Sequence, residues 1–85
     1  MHYVYFIKSI KNNFFYIGST DNLVERIKEH NKGKVLSTKH YAPFKLIYYE
    51  AYFSKKDALI RECLLKHHGS SKGHLKKRIK YSLEN

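Results

Sequence analysis

The stretch that decides the fold is residues 2–18, HYVYFIKSIKNNFFYIG, near the start of an 85-residue chain. Residues 2–8 are rich in Tyr, Val, Phe and Ile, which favours a β-strand. Residues 11–13, KNN, are typical of a turn. Residues 14–17 predict a second strand that stops at Gly18. Because the connection is short, we expect the two strands to form an antiparallel hairpin.

The aromatic residues of this hairpin fall on one side of each predicted strand. Tyr3, Tyr5 and Ile7 share one face of the first strand, and Phe14 and Tyr16 share one face of the second. Paired rings across a hairpin usually stabilise the sheet by packing. Tyrosine hydroxyls can also form hydrogen bonds near a phosphate, so both interpretations stay open.

A helix and a third strand are predicted after the hairpin. Asp21 or Asn22 can cap a helix that begins near Leu23, runs to about His30 and ends before Gly33. Residues 31–43 are polar and basic, so we expect mostly loop there. Residues 44–53 carry Leu46, Ile47, Tyr48, Tyr49 and Tyr52 and predict a third strand.

Two more helices complete the predicted order. Residues 54–57, SKKD, resemble a capping box with Asp in place of Glu, and the helix that follows should run to about His67 and end at Gly69. A last basic helix should begin at about Ser71. One side of it carries Leu75, Ile79 and Leu83. The order β-β-α-β-α-α predicts a mixed α/β fold with an antiparallel sheet.

Charge is the first indication of function. The chain has 17 Lys and Arg against seven Asp and Glu, a formal net charge of +10. Such an excess attracts polyanions, nucleic acid first, although a solvated surface or an anionic membrane surface would also suit it. Cys63 has no second cysteine for a disulfide, and no apolar run approaches the ~20 residues of a membrane span. We therefore expect one cytoplasmic domain, residues 1–85.

Glu62 is the most informative residue by pattern alone. Ala58, Glu62 and Leu65 form one stripe of the predicted helix, and its solvent face lies nearer Arg61. Burying a carboxylate without a partner costs several kcal/mol. The partner should therefore be a cation of the chain, such as Arg26, or a metal ion.

Other polar pairs have a plain and a functional interpretation. Arg26 and His30 are four residues apart on the first helix, so they share a face. They could bind a phosphate and move a proton, or be ordinary boundary charges. Cys63 and His67, near His68 and His74, lack the paired spacing of zinc ligands, so we do not expect zinc.

Five elements in order resemble the GIY-YIG nuclease superfamily. The hairpin carries residues 3–5, YVY, and, after a gap of ten residues, residues 16–18, YIG. Arg26 follows Tyr16 by ten residues and His30 follows Arg26 by four. Residues 58–62, ALIRE, look like the Ala-Leu-x-x-Glu helix of the family. The likeness is to the small single-domain branch, which shares its nuclease module with the bacterial excision-repair incision enzyme and with homing endonucleases.

This resemblance implies a metal-dependent endonuclease that hydrolyses phosphodiester bonds in DNA, either structure-selective or non-specific. It implies a three-stranded antiparallel sheet flanked by helices, with the site residues converging on one face. Glu62 would be the protein ligand of Mg²⁺ or Mn²⁺. Tyr5 or Tyr16 would position or deprotonate the attacking water. Arg26 would bind the non-bridging oxygens, and His30 would orient or shuttle the proton.

The resemblance also implies a role for Gly18 and a departure at Ser19. Gly18 would let the backbone approach closely at the site. Ser19 stands where several family members have Lys, so one cation is missing there. The basic residues expected to bind phosphates are Lys32, Lys34, Lys39, Lys55, Lys66, Lys76, Lys77 and Arg78.

The expected partner is DNA, with RNA as the alternative, and not a membrane. We expect a monomer or weak homodimer, with a protein partner as one route to targeting. The competing function is a basic nucleic-acid-binding module on the same fold that does not cut.

Overall fold

Three antiparallel strands form the centre of the protein, and helices cover both faces of their sheet. The computed structural model describes residues 1–84. Its elements are β1 (His2–Ser9), β2 (Phe15–Thr20), α1 (Leu23–Asn31), a 3₁₀ helix (Lys39–Tyr41), β3 (Phe44–Tyr52), α2 (Lys55–His67), α3 (Gly69–Arg78) and α4 (Lys80–Leu83). The strand order is β2-β1-β3. The predicted mixed α/β class and its three-stranded antiparallel sheet are confirmed.

The central strand β1 is buried on both faces, which explains its nearly continuous apolar sequence. Val4 and Phe6 pack on one side, in a core shared with α2, α3 and α4. Tyr5 and Ile7 pack on the other side, in a core shared with α1. The predicted alternation along the hairpin is therefore confirmed, and it gives the sheet one face for each group of helices.

Gly18 lies inside β2 instead of ending it. The predicted stop at Gly18 was wrong, because the strand continues to Thr20 and Gly18 pairs with Tyr5 of β1. A Cβ atom at position 18 would lie 2.6 Å from Cζ of Tyr5. A glycine inside a strand here makes room for the phenol of the neighbouring strand.

The helix ends differ from prediction in their details. α1 begins at Leu23 as expected, and Oδ1 of Asn22 accepts a hydrogen bond from the backbone N–H of Glu25 at 3.2 Å. Ser54 is the N-cap of α2, but its side chain makes no capping hydrogen bond. The predicted capping box is therefore absent from residues 54–57.

The basic C-terminal segment forms two helices instead of one. Gly69 begins α3 rather than ending α2, because the preceding His68 has an extended backbone (φ −119°, ψ 105°) that separates the two helices. The helical run breaks again at Ile79, before α4. The predicted apolar side is confirmed, since Leu75 and Ile79 are buried and Leu83 packs against them.

The solvent face of α2 is not the one that was predicted. Leu59 and Ile60 are 45% and 52% exposed. Arg61 instead turns toward the sheet and binds Glu50 of β3. Within residues 1–84, no helix is both long enough and apolar enough to cross a membrane.

Candidate active site

A chain of hydrogen bonds links β1 to α1 through buried side chains. The Tyr5 hydroxyl lies 2.7 Å from Nε2 of His30, and Nδ1 of His30 lies 2.7 Å from Oγ1 of Thr38. Thr38 donates to the carbonyl of Val35 at 3.4 Å. That carbonyl can only accept, so the Thr38 hydroxyl must accept from the other side. The hydrogen bonds therefore run in one direction: Nδ1–H of His30 donates to Thr38, and Nε2 of His30 accepts from Tyr5.

Both ionisable groups of this chain are neutral at pH 7. Burial, aided by the nearby Arg26 guanidinium, lowers the pKa of His30 to about 4. Burial raises the pKa of Tyr5 to about 12, although Arg26 opposes that shift. Tyr5 is 1% exposed and His30 is 0% exposed, so neither ring reaches solvent.

Tyr16 and Arg26 lie beside this buried chain but are open to solvent. The Tyr16 ring is half-buried, with its centroid 5.2 Å from that of His30 and 6.4 Å from that of Tyr5. Arg26, on the same helix as His30, contacts Tyr5 and pairs with Glu29 at 3.1 Å. Its side chain is 37% exposed, so guanidinium N–H groups remain available to a ligand.

Glu62 approaches the same place from α2. Its Oε1 accepts a hydrogen bond from the Ser19 hydroxyl at 2.8 Å, and its Oε2 lies 2.9 Å from Nζ of Lys66. Arg26, named from the sequence as an intramolecular partner, pairs with Glu29 instead, because Glu29 lies one turn along the same helix. Glu62 is close enough to Tyr5 to act on its pKa, so the carboxylate belongs to the same site.

The donor set at this site suits a hard divalent ion. A carboxylate offers about four lone-pair positions, and Ser19 and Lys66 are the partners of Glu62 among residues 1–84. No group of three or more His, Cys, Asp or Glu side chains that could enclose a metal occurs in this part of the chain. One oriented carboxylate with free lone pairs fits Mg²⁺ or Mn²⁺ that keeps most of its waters.

Three lysines lie over aromatic rings of the edge strand β2. Lys66 lies over the Tyr16 ring, with Nζ 5.2 Å from its centroid, while Lys8 and Lys76 lie over the Phe15 ring at 6.0 and 5.4 Å. We call Lys8, Lys66 and Lys76 the β2 lysine row. The other basic residues expected to bind phosphates are exposed at the surface: Lys32, Lys34, Lys39, Lys55, Lys77 and Arg78.

Three side-chain contacts were not predicted from the sequence, those of Thr38, Lys8 and Ser19. Thr38 lies in a polar loop with no periodicity to mark it as buried. Lys8 is an ordinary strand-end lysine until Phe15 is placed opposite it. Ser19 was noted as the position of a missing cation, and the structure supplies a cation nearby from Lys66 of α2. The clue in the sequence was the four-residue spacing of Glu62 and Lys66, which typically joins such a pair on a helix.

Similar proteins identify the family. The model of the GIY-YIG catalytic domain matches residues 1–77. A UPF0213 protein of Clostridium perfringens is 42% identical over 67 residues, 78% of this chain and 71% of that protein. A UPF0213 protein of Staphylococcus haemolyticus is 44% identical over 66 residues, 76% of this chain and 79% of that protein. The solution NMR structure of a UPF0213 protein from Bacillus halodurans is 31% identical, with a TM-score of 0.57, and the match covers 99% of this chain and 93% of that one.

These matches agree with the resemblance first seen in the hairpin and in α2. A GIY-YIG catalytic domain implies nuclease-type activity, and nucleases of this family generally depend on a divalent metal. The chain therefore belongs to the GIY-YIG family, in the small branch that includes the UPF0213 proteins.

Proposed function

We propose that this protein is an endonuclease that hydrolyses phosphodiester bonds in DNA with one Mg²⁺ or Mn²⁺ held by Glu62. One observation carries the proposal. Glu62 is oriented by Ser19, keeps unused lone pairs and lies close enough to Tyr5 to act on its pKa, in a protein with a net charge of +10. A metal bound there would act as a Lewis acid on the scissile phosphate and stabilise the leaving oxygen.

The tyrosines take different roles in this proposal. Burial raises the pKa of Tyr5 to about 12 and lowers that of His30 to about 4, so transfer of the Tyr5 proton to His30 is strongly unfavourable. Tyr5 therefore keeps its proton and holds His30, which fixes α1 against β1. Tyr16 is more open to solvent and lies beside the Lys66 ammonium. We assign to Tyr16 the positioning of the attacking water.

Arg26 is placed to bind the phosphate that reacts. Its guanidinium lies on the exposed edge of α1 beside Tyr5, and Glu29 uses one of its donors. A planar guanidinium can give two parallel hydrogen bonds to phosphate oxygens. Charge builds up on those oxygens in the transition state, so this contact should matter more for rate than for binding.

The β2 lysine row and the exposed lysines would hold the DNA backbone. Their ammonium groups reach phosphates without reading base edges, so binding should depend steeply on salt and little on sequence. The same chemistry suits RNA, and a panel that includes RNA distinguishes the two substrates.

A second candidate function is a nucleic-acid-binding module that does not cut. The observation in its favour is the ion pair of Glu62 with Lys66, which satisfies part of the carboxylate without a metal. This alternative predicts binding to nucleic acid, no cleavage with any divalent ion and no effect of Glu62→Gln on binding.

The test is a cleavage assay on linear, nicked, flapped and branched DNAs and on RNA, with Mg²⁺, Mn²⁺ or EDTA. Wild-type protein should cut at least one DNA with metal and none in EDTA. Glu62→Gln keeps the shape of the side chain and removes its charge. Glu25→Gln is the matched control, since Glu25 is exposed on α1. Full activity in EDTA, or equal loss in the control, would refute the proposed metal role.

A further inference from the structure

The Glu62 carboxylate already holds a cation, and that cation comes from the protein. Nζ of Lys66 lies 2.9 Å from Oε2 of Glu62 and 5.2 Å from the centroid of the Tyr16 ring. The ammonium is thus located by two contacts, a carboxylate and the face of an aromatic ring. Both of these groups belong to the proposed site, so Lys66 marks a place in it where positive charge is stable.

We propose that Lys66 is a tethered counter-cation of Glu62 that a divalent metal ion must displace. This inference rests on the proposed role of Glu62 as metal ligand. In the metal-free protein Lys66 neutralises the carboxylate, and a metal binds when the ammonium moves aside. Lys66 therefore weakens metal binding to the free protein, and the site does not hold a divalent ion tightly until the lysine has another partner.

Competition follows from the orientation of the carboxylate. Ser19 of β2 holds Oε1, and Oε2 contacts the Lys66 ammonium that lies over the Tyr16 ring. Lys66 occupies this oxygen, and a divalent ion on the same carboxylate would be repelled by the ammonium at close range. The two cations therefore exclude each other, and binding of one lowers the affinity for the other by the same factor.

Lys66 can leave without any change of the backbone. Its side chain is 34% exposed, and the residue lies in the last turn of α2 with its ammonium on a flexible four-carbon stem. A phosphate of bound nucleic acid is an alternative partner for the released ammonium. Substrate binding would then free Glu62 for the metal, so that the complete site assembles on the substrate.

An ordinary structural ion pair would leave the metal affinity unchanged when Lys66 is removed. Pairs four residues apart on a helix surface are common and stabilise the helix slightly. If Lys66 did no more than this, its removal would weaken the fold a little and leave metal affinity unchanged. If Lys66 competes with metal, its removal makes metal binding tighter.

The experiment is a Mn²⁺ titration of wild type, Lys66→Met and Lys66→Gln, with free Mn²⁺ measured by electron paramagnetic resonance. The matched control is Lys56→Met, an exposed lysine in the first turn of the same helix. We expect both Lys66 variants to bind Mn²⁺ about tenfold more tightly than wild type, within the range of coupled sites. The control should stay within about twofold, because a distant surface charge is screened by salt.

Adding Glu62→Gln to each protein separates this inference from the proposed function. Loss of the tighter binding in the double variant supports both. Equal Mn²⁺ affinity of wild type and Lys66 variants, lost in each case with Glu62→Gln, would overturn the competition and leave the metal site standing. If Glu62→Gln leaves the Mn²⁺ affinity unchanged in every protein tested, both the competition and the metal role of Glu62 are overturned.

Discussion

Two glutamates near α2 have nearly the same burial and different surroundings. The side chains of Glu50 and Glu62 are 16% and 19% exposed. Glu50 accepts hydrogen bonds from Tyr48 at 2.7 Å, from Tyr52 at 2.6 Å, and from Nε and Nη2 of Arg61 at 2.8 and 3.0 Å. Glu62 has two donors in the described chain, Ser19 and Lys66.

The difference shows how one protein uses one kind of side chain in two ways. The four hydrogen bonds of Glu50 fill about as many lone-pair positions as a carboxylate has, and its guanidinium partner is planar and forked. Such a group ties β3 to α2 and has no room for a ligand. Glu62 has unused lone pairs and a mobile partner, so it can exchange that partner. Equal burial therefore does not mean equal function, and the count of donors separates the two carboxylates.

The largest expected effect is on the rate of DNA cleavage, which should depend on Glu62 and not on Glu50. Glu62→Gln should lower the rate of DNA cleavage on the order of a hundred- to a thousandfold, the usual cost of losing one group that stabilises the transition state. Glu50→Gln, assayed at a temperature where it is folded, should stay within about fivefold of wild type because Glu50 lies outside the site. Initial rates on the best DNA of the panel measure both. Similar losses in the two variants would break the comparison.

The next effect is on the pH dependence of the free energy of unfolding, and it comes from His30. The pKa of His30 is about 4 in the folded protein and ~6.5 in an unfolded chain, so the unfolded state binds more protons between these values. Stability should therefore be complete above about pH 6.5 and fall by up to about 3 kcal/mol as the pH drops toward 4.

Urea unfolding at a series of pH values measures this slope. His30→Gln should be less stable than wild type, and its free energy of unfolding should change less with pH between about 4 and 6.5, because the titrating imidazole is gone. A variant that keeps the wild-type slope would assign the acid sensitivity to other groups.

The free energy of unfolding should depend more on Glu50 than on Glu62, which is the reverse of their expected effects on the cleavage rate. Glu50→Gln leaves Arg61 without its charged partner and should lower the free energy of unfolding by about 2 kcal/mol, the usual scale for hydrogen bonds to a charged group. Glu62→Gln should cost less than about 1 kcal/mol, since its charged partner is a partly exposed lysine. Urea unfolding at pH 7 compares the two, and equal losses would show that Glu62 is as structural as Glu50.

The smallest effect is expected at acid pH. Burial alone would raise the pKa of Glu50, but hydrogen bonds from Arg61, Tyr52 and Tyr48 outweigh it and hold the pKa below its usual 4.5. The stability that Glu50 contributes is therefore present above about pH 4.5 and lost as the pH falls through its lower, folded value. Glu50→Gln should show a shallower loss than wild type below pH 4.5. An unchanged profile would contradict this cause.

Local patterns predicted the elements well and their ends less well. The period-2 alternation of β1 and the cap at Asn22 depend on neighbours in sequence, so the sequence carries them. Gly18 was misjudged because its reason is the Tyr5 phenol on another strand, across the hairpin. Gly69 was misjudged because a glycine that follows a helix also suits the start of the next one, and the extended backbone of His68 decided between them.

The sequence by itself determined the family, the mixed α/β order and the candidate residues Tyr5, Tyr16, Arg26, His30 and Glu62, because short motifs at fixed spacing are a linear property. Only the tertiary structure decided which of these groups are free to react. Ser19 and Glu62 are 43 residues apart in the chain, and Tyr5 and His30 are 25 apart. Long side chains find their partners across elements through several rotatable bonds, and no spacing encodes that choice. Burial of Tyr5, saturation of Glu50 and the open lone pairs of Glu62 therefore had to come from the packed protein.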